Sequence, residues 1–288
     1  MKLFLKISYL GTAYCGYQVQ NNGVTIQQRL NEATEAVFGF PCDIVGCSRT
    51  DSGVHANEFC LTVAQKGRGS IEFSIPIDKI PTALNCRLPV DIAVKEAATV
   101  PDEFHPRYDV KYKEYVYRIW NGRTKNPFLA DRAYYPSVPV SDERIALMNE
   151  AAAHFVGTHD FATYMATGSK IKDTVRTVFY ADVSVVGDLI TFRIAADGFL
   201  YNMVRIMAGT LLEVAHGNLL PTDIEAVTES RDRRRAGATA PAHGLYLNRV
   251  SYEELAPNLQ KGENDGVSEV YSRRPVRCIG GCYHGNLC

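Results

Sequence analysis

Positive charge is not in excess in this chain: 31 Lys and Arg are offset by 32 Asp and Glu, a formal net charge of -1 over 288 residues. Global attraction to a polyanion is therefore excluded as a binding mechanism, and any grip on phosphate has to come from local clusters. Candidates are Arg49; Lys66 with Arg68; Lys111, Lys113, Arg118, Arg123 and Lys125; Lys170, Lys172 and Arg176; and Arg231 with Arg233, Arg234 and Arg235. Each alone also reads as a solvated face. Long apolar runs are missing as well, since nothing approaches the roughly 18 consecutive apolar residues of a membrane span. The stretch Met1–Tyr9 alternates, is interrupted by Lys6 and lacks the apolar segment and small-residue cleavage site of a secretory signal. A cytoplasmic protein without membrane contact is expected.

Cysteine is present, but not in a pattern that supports a disulfide framework. Cys15, Cys42, Cys47, Cys60 and Cys86 are scattered among apolar neighbours and read as reduced, buried thiols. Near the C-terminus, Cys278, Cys282, His284 and Cys288 offer donor types that zinc accepts. Their compact spacing matches no familiar finger and lacks a hydrophobic complement, so no metal is expected. The segment beyond Pro257 reads as a flexible tail whose Arg273, Arg274 and Arg277 can brush RNA.

What is present is the make-up of an ordinary globular protein, 46% apolar and 22% charged, long enough for one large domain or two modest ones. Periodicity predicts a strand over Lys2–Tyr9 and a helix over Thr25–Phe38, where Ile26, Leu30, Ala33 and Val37 recur at helical spacing and Thr25-x-x-Gln28 makes a capping box. Strands around Cys42–Val45 and Phe59–Ala64, a helix over Pro76–Asn85 and a strand over Asp91–Ala97 complete the first half. The order then repeats: strand Lys111–Trp120, helix Asp142–Phe155 with Ser141 as N-cap, strands Val175–Val186 and Leu189–Asp197, helix Leu200–His216, strand Gly244–Tyr252. Two β-α-β-β-α-β runs predict an α+β fold of two ferredoxin-like units, residues 1–107 and 108–256, with 257–288 as the tail. The expected architecture is a mixed, mainly antiparallel sheet with helices packed on one side and a central cleft. The segment Arg231–His243 reads as a loop rather than a core element.

Residues 49–56, Arg-Thr-Asp-Ser-Gly-Val-His-Ala, fall between two strand-like runs. An acid in a turn held on rigid strands is placed as catalytic side chains often are, and Arg49 can touch phosphate or lower the acid's pKa. The same tripeptide read alone is also an Asx-turn with a surface ion pair. The full string resembles the catalytic motif of the tRNA pseudouridine synthases of the TruA family. Further resemblances follow in order over roughly residues 3–253: Tyr9 to Gln20; Phe104-His105-Pro106-Arg107; Lys113 to Ile119; Phe155 to Phe161; Asp197 to Arg205; and Ala240 to Leu247. One departure is Cys47-Ser48 before Arg49, where small residues such as Ala and Gly are common.

The resemblance implies that Asp51 is the nucleophile, that Arg205 is its cationic partner and that Tyr115 stacks on a uridine flipped out of the RNA. From the residues alone, Tyr115 in Lys113-x-Tyr115-x-Tyr117 also fits cross-strand packing, and Arg205 also fits an exposed helix position. Its neighbours Met203, Val204, Ile206 and Met207 are apolar, however, and a charge there calls for a partner. Arg49 is positioned to hold the flipped nucleotide's phosphate or fill its vacated place, Leu245 is a candidate wall of the base pocket, and Phe104 and Arg107 are expected to line the same cleft. His55 and His105 have no triad or metal spacing and read as structural or RNA-contacting. The isomerisation needs no redox step and no donor, so no cofactor is expected. The resemblance further implies tRNA as substrate, uridines at positions 38–40 of the anticodon stem-loop, and a homodimer in which one tRNA engages both subunits. The rivals are a related synthase acting on other uridines and a catalytically silent RNA-binding protein of the same fold. Retention of Asp51, Tyr115 and Arg205 together speaks against the silent one.

Overall fold

The computed structural model describes residues 1–169 and 171–255, which leaves Lys170, the basic tail and its Cys and His residues outside the described part. The first half of the chain runs β1 (Lys2–Tyr9), α1 (Ile26–Phe38), β2 (Cys42–Gly46), β3 (His55–Gln65), α2 (Ile80–Asn85), β4 (Ile92–Val100). The second runs β5 (Tyr112–Trp120), α3 (Asp142–Ala153), β6 (Gly157–Asp160), β7 (Val175–Val186), β8 (Leu189–Ala196), α4 (Met203–His216), α5 (Asp223–Glu229), β9 (Leu245–Ser251). All nine strands form one sheet in the order β4-β1-β3-β9-β5-β8-β7-β6, with β2 added on β3. Strands β4-β1-β3-β2 and β9-β5-β8-β7 thus repeat one ferredoxin-like order, and the α+β fold read from the sequence is present.

The elements form where periodicity places them, with instructive differences. In β1, Leu3, Leu5, Ile7 and Tyr9 are buried while the alternate residues are partly exposed, so one face of the sheet is covered by helices. Thr25 caps α1 by accepting the Gln28 amide hydrogen, but the Gln28 side chain turns to Glu32 instead of completing the box. Ser141 stands at the start of α3 without capping it, because its hydroxyl donates to Glu143. β6 and α5 were not anticipated: each is short, and local patterning gives neither a clear period. Cys47 and Cys60 are buried as expected. Cys15 and Cys42 are only partly so, and Cys86, at the end of α2, is exposed. The loop character of 231–243 holds, yet Gly237 and Ala240 are buried because this segment threads against α4.

Two features of the sheet position the site. β3 pairs with β1 along one edge; on the other, Leu61–Gln65 pair with β2, and His55 and Ala56 pair in parallel with Tyr246 and Leu247 of β9. The chain between β2 and β3, residues 47–54, emerges in the gap between β2 and β9, where the two halves meet. In the ladder of β5 with β9, the register shifts between Glu114 and Tyr115, so a bulge aims Tyr115 at this same junction.

Candidate active site

The 47–54 loop is tied down on both sides of Asp51. Thr50 Oγ1 shares a hydrogen bond with the Tyr9 hydroxyl at 2.8 Å, and Ser52 Oγ donates to the Tyr14 carbonyl at 3.1 Å. These two bonds hold the neighbours of Asp51 while its carboxylate lies in the cleft. The Val54 amide donates to the Asp51 carbonyl at 3.1 Å, closing a turn whose third residue, Gly53, has φ +80°, a conformation that glycine adopts without steric cost. From below, Gly16 (φ +82°) presses against the loop; a Cβ there would stand 2.8 Å from the Thr50 carbonyl oxygen. The Gly-rich turn after β1 is the bed on which the loop lies.

His55, at the start of β3, locks this arrangement. Its Nδ1 accepts the Gly11 amide hydrogen at 2.9 Å and its Nε2 lies 3.1 Å from the His243 carbonyl oxygen. An acceptor at Nδ1 and a donor at Nε2 define a neutral imidazole. Burial holds it there, pushing the pKa down to about 4. This is the structural role the sequence left open for His55.

Asp51, Arg205, Tyr115, Arg49, Arg107 and Leu245 line one cleft of about 280 Å³ at the junction of the halves. Arg205 is the intermediate-exposure residue of the first turns of α4, where Met203, Val204, Ile206 and Met207 are all buried. Its Nη1 is 3.7 Å from Asp51 Oδ2. Burial raises the pKa of the Asp51 carboxyl and the Arg205 charge opposes this only in part, so the net shift is upward. Tyr115 is 8% exposed, its hydroxyl 3.3 Å from Ser48 Oγ and its ring edge-on to Phe199 at 5.0 Å. It belongs both to the core and to the cleft wall. Tyr117, on the same face, is fully buried with its hydroxyl donating to the Pro241 carbonyl.

Phe104 is not brought into the cleft. It sits in the β4–β5 connection and packs half-buried on Phe4 and Tyr252, at 5.8 and 5.0 Å between ring centroids. His105 likewise organises the turn, accepting the Arg107 and Tyr108 amide hydrogens at Nδ1. Lining residues that the sequence does not mark as site residues include Ser48, Lys113, Phe199 and Asn202. Lys113 read only as part of a basic run; in the structure its Nζ donates to the Cys47 carbonyl at 2.7 Å and burial lowers its pKa. Its spacing of two from Tyr115 was the available signal, since alternate strand residues share a face. A helix from Leu200 places Asn202 inside it, whereas α4 starts at Met203 and leaves Asn202 as its N-cap.

A family profile described as tRNA pseudouridine synthase matches residues 6–109 and 151–253. The chain belongs to this family. Within the tRNA pseudouridine synthases it is similar to proteins named tRNA pseudouridine synthase A: 44% identical over 255 residues to that of Bacillus licheniformis, covering 88% of this chain and 100% of the relative. The Exiguobacterium sp. protein is 41% identical over 254 residues (88% and 99% covered), and that of Acetivibrio thermocellus 42% over 248 residues (86% and 98%). Among solved structures, a Cbf5-Nop10-Gar1 complex aligns with 85% of this chain and 48% of that one at 14% identity and a TM-score of 0.33, too weak a likeness to argue from.

Proposed function

We propose that this protein isomerises uridine to pseudouridine in tRNA, with Asp51 as the nucleophile, and that its targets lie in the anticodon stem-loop at positions 38–40. The observation that carries the reading is the meeting, in one cleft, of a carboxylate from the first half with a guanidinium 3.7 Å away and an aromatic ring from the second. In the isomerisation the N1–C1′ bond breaks, the uracil turns, C5 bonds to C1′, the C5 proton leaves and N1 gains one. Atoms and electrons balance within the nucleotide, so no cofactor is required. Asp51 supplies the charge that attacks or stabilises the electron-poor centre formed as the bond breaks. The Arg205 guanidinium favours the ionised form against burial. Tyr115 receives the extruded uracil opposite Leu245, offsetting the stacking lost on leaving the RNA. Arg49 and Arg107, both exposed at the cleft rim, reach phosphates.

The names of the relatives support tRNA as the substrate, and a tRNA substrate supports action in the cytoplasm. Among the described residues no helix is long and apolar enough to cross a membrane. A homodimer in which each tRNA touches both subunits belongs to the same reading. The deciding experiment maps pseudouridine in total tRNA from cells with the protein, without it, and with Asp51→Asn. Loss of pseudouridine at positions 38–40 in both altered strains is expected; loss elsewhere would assign other targets. In vitro, Asp51→Asn abolishes turnover while tRNA affinity stays within about tenfold, or about 1.4 kcal/mol, because distributed phosphate contacts dominate binding. Substantial pseudouridine formation by the purified variant refutes the nucleophile.

A further inference from the structure

Asn202, immediately before α4, lies in the left-handed region at φ 59°, ψ 11°, one of two non-glycine residues with positive φ among those described. Asn tolerates this conformation better than most residues with a side chain. At a helix start its side chain would ordinarily accept an amide hydrogen of the first turn, and here it makes no such bond. Instead Oδ1 accepts a hydrogen bond from Arg205 Nη1 at 2.8 Å, while Arg205 Nε donates to the Ala240 carbonyl at 2.8 Å. The guanidinium is thus fixed by two neutral acceptors on one helix turn and one packed loop. Asp51 Oδ2 lies 3.7 Å from that same Nη1, beyond hydrogen-bond distance.

The spacing has a chemical consequence. A carboxylate gripped by two guanidinium hydrogen bonds has its lone pairs occupied and its basicity lowered. A half-buried carboxylate with no cation nearby takes up a proton. The nucleophile needs the state between these, charged but unoccupied. We propose that Asn202 is a positioning residue that holds Arg205 back from Asp51, so that the guanidinium supports the carboxylate's charge without covering its reactive oxygens. This rests on the reading of Asp51 as the reacting carboxylate. The unusual backbone at Asn202 follows from it: the helix start must place an amide oxygen over the guanidinium of its own third helical residue.

The test is single-turnover pseudouridine formation on tRNA against pH, with melting curves, for two variants of the full-length protein. Among the described residues, the other titratable or charged groups lining the cleft are Arg49, Arg107, Lys113, Tyr115 and Tyr201, and Tyr117 and His243 face Arg205 from β5 and the loop before β9; all are common to every variant. Asn202→Gly keeps the left-handed backbone and removes the acceptor, which frees Arg205 to close on Asp51. The expected result is a rate at least about tenfold lower at neutral pH and an acid limb moved down by about half a pH unit or more, a roughly threefold change in ionised fraction at a given pH. Asn202→Asp retains an acceptor but offers the guanidinium a competing charge, so the rate falls and the acid limb moves up. Opposite movements with near-native melting support the proposal. An acid limb that stays put or rises in the glycine variant overturns it, as does an unchanged limb in the aspartate variant should the glycine variant fail to fold. Asp51→Asn and Arg205→Met run alongside. If Asp51→Asn keeps its activity, the reading of the nucleophile fails; if it is inactive and the Asn202 variants leave the limb in place, only the role of Asn202 fails.

Discussion

Arg205 and Tyr115 are each asked to satisfy two demands, and substitutions separate them. Asp51 is already shifted toward the protonated form by burial, with Arg205 acting against that shift. Removing the cation in Arg205→Met therefore raises the carboxyl pKa further. On the proposed reading, in which the ionised form reacts, the acid limb of the pH–rate profile is expected to move up and turnover at neutral pH to drop strongly. A profile superimposable on wild type at near-normal turnover removes Arg205 from its role. Tyr115 contributes to the core as well as to the cleft, so Tyr115→Ala is expected to lose stability on the scale of a large buried aromatic, about 3–5 kcal/mol. On the folded fraction it should additionally lose about 1–3 kcal/mol of base stacking. Tyr115→Phe keeps the ring and gives up only the contact with Ser48, so it retains most of both. Normal single-turnover rates from the folded Ala variant would leave Tyr115 a core residue alone.

At the scale of elements, the catalytic loop is held by connections between segments distant in sequence. His55 ties the turn after β1 to the loop before β9, and it does so as a neutral ring with a pKa near 4 against an ordinary value of 6.5. A base whose pKa is depressed on folding leaves the unfolded chain with more bound protons between those two values. Stability therefore falls as pH drops from about 6.5 toward about 4, by up to about 3 kcal/mol from this residue, and is unaffected by it above that window. Chemical denaturation across this range should show a shallower pH dependence for His55→Gln than for wild type, whatever its absolute stability. Identical slopes would mean that His55 titrates normally and does not clamp the loop. The cross-strand meeting of β3 and β9 is only two residue pairs long, so this side-chain clamp adds to a short backbone seam.

For the whole molecule, near-neutral net charge and a tRNA substrate are reconciled by where the cations stand. Arg49, Arg107, Lys113 and Arg205 converge on one cleft, while many other charges are paired, such as Lys6 with Glu58 and Glu96 and Arg193 with Asp182. Affinity should fall with salt through few phosphate contacts rather than through the global field. Arg49→Ala and Arg107→Ala are each expected to reduce the slope of log K against log salt by about 0.7–0.9 if each guanidinium holds one phosphate. Filter-binding titrations at several salt concentrations measure this. An unchanged slope in both variants would move the phosphate contacts elsewhere on the surface.

The sequence by itself determined most of the elements, β6 and α5 excepted, and the family resemblance. Alternation in Lys2–Tyr9 and the spacing of Ile26, Leu30 and Ala33 are local signals, and local signals specify strands and helices. The string around Asp51 also carried its own turn chemistry, because Gly53 must reach positive φ wherever the turn is placed. Tertiary structure decided which of these residues meet. Arg205 is 154 positions from Asp51, and no pattern along the chain measures their 3.7 Å separation. That distance follows from the pairing of β3 with β9, the bulge at Tyr115 and the helix start at Asn202. The same long-range packing set Phe104 against Phe4 and Tyr252, away from the cleft, and brought Lys113 into it. Periodicity records which face of an element is buried, whereas a site is made where faces of different elements converge.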